Sequence, residues 1–233
     1  MVIYNPKDWF KLIFQFHKSD TFRMLTPAMI GIGVLTAIGT YIILDVLKLD
    51  YHSTIMIHSL LGFILSLLLV FRTNTAYDRW WEGRKMWGGF VNSSRAVAIK
   101  LAAYIPETET AHRRKLALLI ANFMVASKDH LRGEVHVATW EKIPGIDNEK
   151  MALKNHVPNA IMAAFMQEIM DLVRAGKLSE TQLRTIDLEV RVFSECLGAC
   201  ERIKNTPIPY SYSLYIKKII FMYCISLPFG LIT

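Results

Sequence analysis

Cysteine and histidine are the residue types in this chain that most often bind metal ions or act as nucleophiles. Cys196 and Cys200 lie four residues apart, so a helix would place both thiols on one face. A structural zinc site needs four ligands, and the sequence has no second cysteine or histidine pair at ligand spacing. The third cysteine, Cys224, makes an odd count that does not suit a disulfide framework. We expect reduced thiols and no metal site.

The histidines form no ligand pattern along the sequence. His130 and His136 flank a basic loop, while His112 and His156 lie on different segments. None has the i, i+4 histidine partner or the acidic neighbour of a metal-binding helix. The phosphate-binding glycine loop, the dinucleotide fingerprint and the nucleophile elbow are also missing from the sequence. We therefore expect surface or core histidines, no cofactor and no enzyme activity.

Two long apolar segments determine where the polar residues lie in the fold. Residues 25–44 carry no charged side chain, and residues 53–71 carry no Asp, Glu, Lys or Arg. About 20 apolar residues at a rise of 1.5 Å are needed to cross a bilayer core of ~30 Å. The composition is 52% hydrophobic and 20% charged, so the charges are separated from the apolar runs. The sequence predicts an all-α, polytopic membrane protein whose transmembrane helices continue into a cytoplasmic helical bundle.

The basic residues predict the orientation of the chain in the membrane. The connection at residues 45–52 is weakly acidic, whereas Lys and Arg flank the two spans on their other sides. The positive-inside rule then places the N-terminus and everything after Arg72 in the cytoplasm. The net charge of +7 lies mostly beside the apolar spans, so we do not expect binding to nucleic acid.

The chain divides into parts of different composition. The predicted parts are an N-terminal interfacial helix (1–24), a transmembrane hairpin (25–72), a cytoplasmic helical region (73–211) and the start of a further span (212–233). Packing of the first helix against its own protein is an open alternative to a membrane interface. The last segment is too short to cross a bilayer comfortably, so we expect a truncated chain.

Apolar residues recur at helical period through the cytoplasmic region. The predicted helices there are 87–104, 107–132, 159–175 and 180–204. The apolar face of the last of these consists of Leu183, Ile186, Leu188, Val190, Val192 and Phe193.

Within the second span, Phe63, Leu67 and Phe71 recur at i, i+4 and i+8 and so share one helix face. An equally regular stripe consists of Leu60, Ile64 and Leu68. Periodicity therefore does not identify a pore face, and lipid-facing or packed residues explain either stripe.

A polar, aromatic and basic segment, FRTNTAYDRWWEGRKMWG at residues 71–88, follows the second span without a break. Its charges form either a polar network at a subunit interface or a solvated face beside the membrane. Trp80 and Trp81 are adjacent, so they point in different directions from a helix, and we expect one of them to pack against a neighbour. This arrangement favours assembly.

The segment at residues 71–88 resembles the signature that follows the second membrane helix in bestrophins, particularly in the bacterial branch. The resemblance extends with lower specificity over essentially the whole chain, including the break at Pro207 and Pro209. It implies a homopentamer in the bacterial inner (plasma) membrane, in contact with lipid and permeant ions, around one axial pore.

The resemblance also implies roles for particular residues. Phe63, Leu67 and Phe71 would form a narrow neck, and a second constriction would lie near Thr181 or Leu183. The residues expected to hold neighbouring copies together are Arg72, Asn74, Asp78, Arg79, Trp80, Trp81 and Glu82.

This architecture predicts an ion channel with a hydrophobic neck. An apolar neck attracts ions of neither sign, so selectivity must come from polar or charged groups elsewhere. Resemblance to the bacterial branch favours small monovalent cations such as sodium, with an anion (chloride) channel of the same architecture as the alternative. A membrane-anchored scaffold without conduction is the alternative from another class, and a membrane-bound enzyme comes third.

Overall fold

The computed structural model describes residues 20–48 and 55–231. The elements are α1 (Asp20–Tyr41), a π-helical turn (Ile42–Val46), α2 (Ile55–Tyr104), α3 (Thr110–Arg132), a 3-10 turn (Val137–Thr139), α4 (Asn148–Ala152), α5 (Val157–Arg174), α6 (Glu180–Asn205) and α7 (Tyr210–Leu231). No strand occurs among these residues, which confirms the prediction of an all-α fold. Residues 1–19 of the predicted interfacial helix lie outside the described part of the chain, and residues 20–24 begin α1.

The chain groups into two compact units. Of the described residues, the membrane unit comprises 20–48, 55–73 and 208–231, and the bundle unit comprises Asn74–Pro207. Helix α2 belongs to both units, because its backbone stays helical from Ile55 to Tyr104.

The membrane unit contains the predicted spans. Helical segments Phe22–Val46 and Met56–Tyr104 are long and apolar enough to cross a membrane. Within the apolar stretch of each segment almost no residue is buried inside the chain. Such exposed apolar surface suits contact with lipid or with another chain.

The core of the bundle unit is built on amphipathic helices. Phe90 of α2, Phe123 of α3 and Phe193 of α6 are buried, and their ring centroids lie 5.3–6.2 Å apart. Burial of large aromatic side chains in such offset and edge contacts is a major stabilising term. Leu188, which we predicted on the apolar face of α6, is instead 62% exposed.

The ends of the bundle helices carry local signals that the sequence encodes. The side chain of Ser179 accepts a hydrogen bond from the Gln182 amide, and the Gln182 side chain accepts one from the Ser179 amide, forming a capping box before α6. Gly133 adopts φ 76° after the last turn of α3, a left-handed conformation that glycine reaches without strain. These residues therefore determine where α6 starts and where α3 ends.

Candidate pore-lining helix and its surroundings

One face of α2 is occupied by α7 within the membrane unit. The His58 ring nitrogen Nε2 lies 3.0 Å from the carbonyl oxygen of Ser226, and the Tyr212 hydroxyl donates to the carbonyl of Leu68 over 3.4 Å. Leu65, on the same side of the helix, is buried. A Cβ atom on Gly230 would lie 2.5 Å from the His58 ring, so a side chain larger than hydrogen would not fit without a shift.

The predicted neck residues lie on the opposite face of α2. At 100° per residue, Leu67 is about 180° around the helix from His58, with Phe63 and Phe71 about 40° to either side. The exposed fractions of Phe63, Leu67 and Phe71 are 67%, 46% and 55%. In the second stripe Leu60 and Ile64 are also exposed, whereas Leu68 is partly buried and its main-chain carbonyl accepts a hydrogen bond from Tyr212 of α7. Of the two stripes, Phe63–Leu67–Phe71 is therefore the one whose three members are all exposed.

Arg79, in the polar segment that follows the span, binds the C-terminal end of α6. Its guanidinium donates to the carbonyl oxygen of Ile203 over 2.5 Å and to that of Thr206. Carbonyl groups in the last turn of a helix have no partner within the helix, and the helix dipole is negative there. Arg79 therefore caps α6 with a positive charge. Our sequence reasoning assigned this residue only to contacts between copies.

Glu82 contacts the same region of α6. Its carboxylate lies 2.9 Å from Arg202, with both side chains substantially exposed. Exposed ion pairs contribute little stability, so this pair adds less than the Arg79 contacts.

The aromatic residues of the polar segment form an exposed cluster. The ring of Tyr77 lies 5.6 Å from that of Trp80 and 6.5 Å from that of Trp81, and the two Trp rings are 6.0 Å apart. Trp80 and Trp81 remain 55% and 46% exposed in the single chain. Large aromatic side chains that stay exposed together mark a contact surface for lipid or another chain.

The remaining members of the predicted assembly and constriction sets are placed as follows. Asn74 and Asp78 are exposed on α2, and Arg72 is partly buried. On α6, Thr181 is exposed, whereas Leu183 packs against the core of the bundle unit.

Two buried carboxylates stabilise the bundle unit. Burial alone would raise the pKa of Glu168, but hydrogen bonds from Lys115 at 2.6 Å and His112 at 2.5 Å outweigh it, and the pKa is lowered. For Asp129, burial also opposes ionisation, yet Lys128 and the His136 amide lower the pKa. Both groups are therefore ionised in the folded unit.

The two cysteines of α6, Cys196 and Cys200, are free thiols and are buried. Burial raises the pKa of the Cys196 and Cys200 thiols, and neighbouring negative groups add to the effect. A raised pKa lowers the thiolate fraction, so both thiols are weaker nucleophiles near neutral pH than an exposed cysteine.

Two histidines and a glutamate meet in the bundle unit. The Nε2 atoms of His130 and His156 lie 3.0 and 2.8 Å from the same oxygen of Glu201, Oε1. Our sequence reasoning found no acidic neighbour for either histidine, because Glu201 is 71 and 45 residues away along the chain. Local spacing carries no signal for such a contact.

Comparison with known proteins places the chain in a family. A family model described as "Bacterial/Fungal Bestrophin protein" matches residues 1–233. The chain belongs to the bestrophin family. This confirms the resemblance inferred from residues 71–88.

Named relatives and a solved structure agree with this assignment. This bestrophin is 34% identical to "Voltage-dependent anion channel-forming protein alr2987" of Nostoc sp. strain PCC 7120, over 97% of the chain and 74% of the relative. It is 38% identical to "Voltage-dependent anion channel-forming protein sll1024" of Synechocystis sp. strain PCC 6803, over 72% of the chain and 56% of the relative. A crystal structure of a mutant bestrophin homologue from Klebsiella pneumoniae matches with a TM-score of 0.78 and 28% identity, over 88% of this chain and 77% of that one.

Proposed function

We propose that this bestrophin is an ion channel in which several copies surround one pore lined by α2. The observation that carries the proposal is the apolar stripe on the side of α2 away from α7. Its three members, Phe63, Leu67 and Phe71, are all exposed in the single chain. In the proposed assembly these side chains from several copies form a narrow apolar ring, and apolar constrictions are known elements of channels.

The exposed surface of the chain supports assembly. The Tyr77, Trp80 and Trp81 cluster leaves large aromatic area uncovered, and aromatic residues are enriched in contacts between proteins. We propose a homopentamer, the assembly implied by the signature at residues 71–88, in which this cluster contacts the next copy. The charge distribution supports an N-terminus in the cytoplasm, and the resemblance of residues 71–88 supports a place in the inner membrane.

The names of the relatives favour anions as the permeant ions. We therefore propose anion conduction, although our sequence analysis leaned toward sodium. One observation favours the cation alternative. Asp78 is exposed and follows Phe71 by seven residues, about two helical turns, so a ring of these carboxylates beyond the neck would attract cations.

The second constriction is proposed at Thr181, because Leu183 is engaged in the core.

Current measurements on purified protein in planar bilayers test the proposal. Wild-type protein should give discrete currents, and Leu67→Ala should change the conductance or the open probability. Leu61→Ala is a matched control, because Leu61 is also exposed on α2 but lies about 120° around the helix from Leu67. Under a sodium chloride gradient, the sign of the reversal potential distinguishes anion from cation selectivity.

Several results would contradict the proposal. A monomer by mass measurement in detergent excludes a pore on an axis between copies. Silence from a folded oligomer favours the scaffold alternative. If the reversal potential shows cation selectivity and this selectivity changes in Asp78→Asn, the channel conducts cations and the proposal of anion conduction is wrong.

A further inference from the structure

The cluster of His130, His156 and Glu201 brings three segments of the bundle unit to one point. His130 lies in the last turn of α3, His156 immediately precedes α5, and Glu201 lies in the last two turns of α6. One potential ligand atom from each residue lies within 4.8 Å of the other two. The chain thus presents two imidazole nitrogens and a carboxylate oxygen that face each other.

The distances are close to those of a tetrahedral metal site. Ligand atoms about 2.0–2.2 Å from a tetrahedral zinc ion lie about 3.3–3.6 Å from one another. The two Nε2 atoms are 3.0 and 2.8 Å from Oε1 of Glu201. These two distances are shorter than those around a tetrahedral ion by less than about 1 Å, and the ligand atoms of the two histidines lie within 4.8 Å of each other. Two histidines and one glutamate are also a known set of protein ligands for zinc, with water in the fourth position.

The cluster is accessible to an ion and to water. The side chains of His130, His156 and Glu201 are 30%, 32% and 28% exposed. His156 and Glu201 also line an open groove of about 410 Å³ whose walls include Met162 and Met166. This groove would give an ion a path to the cluster and leave room for a water molecule as the fourth ligand.

Metal binding would change the hydrogen bonds that the His156 ring makes with its neighbours. The His156 nitrogen Nδ1 accepts a hydrogen bond from the Asn159 amide over 3.2 Å, so without metal the ring proton is on Nε2 and is donated to Glu201. A metal ion would replace that proton at Nε2, and the proton would move to Nδ1, at the expense of the Asn159 contact. The ammonium of Lys204 lies 3.0 Å from the main-chain carbonyl of His130.

We propose that the bundle unit binds one divalent transition-metal ion per chain, zinc foremost, through His130, His156 and Glu201. Imidazole and carboxylate ligands suit zinc, and the open fourth position suits a bound water. Such an ion links the end of α3, the start of α5 and the end of α6. The proposal does not depend on ion conduction, because its ligands all lie in the bundle unit.

Metal binding to the full-length chain in detergent, without a histidine tag, tests the proposal. Metal-free protein is titrated with zinc against a coloured chelator, and with cobalt by visible absorption. Wild type should bind one zinc ion per chain and give the d–d bands of tetrahedral cobalt. His130→Gln and Glu201→Gln should each weaken zinc binding by at least about tenfold and abolish the cobalt bands.

His112→Gln is the matched control, because it removes a histidine that contacts a glutamate elsewhere in the same unit. It should bind zinc as wild type does. Circular dichroism establishes that each variant is folded, and if Glu201→Gln is not, His130→Gln alone decides the result. The proposal is overturned if wild-type protein binds no zinc, or if His130→Gln binds zinc as tightly as wild type. It is also overturned if His112→Gln weakens zinc binding as much as His130→Gln does.

Discussion

Replacing Arg79 by alanine tests how the C-terminal end of α6 is held. The Arg79 guanidinium donates to the carbonyls of Ile203 and Thr206, which lie at and just beyond the last turn of that helix. Alanine leaves both carbonyls to water and removes a positive charge from the negative end of the helix dipole. We expect the bundle unit to become less stable.

The size of the effect follows from these contacts. A hydrogen bond from a charged group contributes about 1.5–3 kcal/mol, and a charge at the helix C-terminus adds about 0.3–1 kcal/mol. Thr206 is exposed and Arg79 is only partly buried, so water replaces part of what is lost. We therefore expect the free energy of unfolding to fall by about 2–3 kcal/mol. For a chain of this size that lowers the melting temperature by about 4–12 °C.

Thermal unfolding followed by far-ultraviolet circular dichroism in one detergent measures this effect. Arg79→Lys should lie between wild type and Arg79→Ala, because one ammonium group does not reproduce the two-pronged contact of a guanidinium. Arg84→Ala is the matched control: Arg84 is exposed on the same helix, and its loss should change stability by less than about 0.5 kcal/mol. Melting of Arg79→Ala within about 1 °C of wild type would refute the reasoning.

Two further predictions concern the bundle unit. In Glu168→Gln, loss of the contacts with Lys115 and His112 should destabilise the fold by about 1–3 kcal/mol at neutral pH. Because the folded-state pKa of Glu168 is lowered from 4.5, the wild-type advantage exists above that pH and disappears as the pH falls through the folded-state pKa. Denaturant midpoints of both proteins between neutral and acid pH measure the difference, and a pH-independent difference contradicts the assignment. Phe193→Ala should reduce the free energy of unfolding by about 3–5 kcal/mol, since Phe193 is fully buried. The exposed Leu188→Ala on the same helix should change it by less than about 0.5 kcal/mol, and equal effects of the two would count against the described core.

The helices and apolar spans were predictable because their signals are local. Uncharged runs of bilayer length predicted α1 and the first part of α2, and Pro106 predicted the end of α2 within two residues. The prediction failed at Leu188. Ile186, Val190 and Phe193 follow helical spacing, but Leu188 is about 200° around the helix from Ile186 and therefore faces away from the core.

The contacts of Arg79, His130 and His156 were not predictable from the sequence. Each partner lies between 45 and 127 residues away, so the contact depends on how the helices pack. The sequence identified Arg79 as unusual through its surroundings at residues 71–88, but it gave no sign of a role within the chain.

From Phe63 to Phe71 the stripe advances by eight steps of about 1.5 Å, or about 12 Å along α2. In the proposed assembly an ion must cross that distance without a polar side chain to replace its hydration shell. Moving a bare ion from water into a medium of low dielectric constant is opposed by up to about 20 kcal/mol in the idealised case. Conduction along this face therefore requires a continuous column of water. A change of side-chain conformation that empties the column would stop the current without any physical plug.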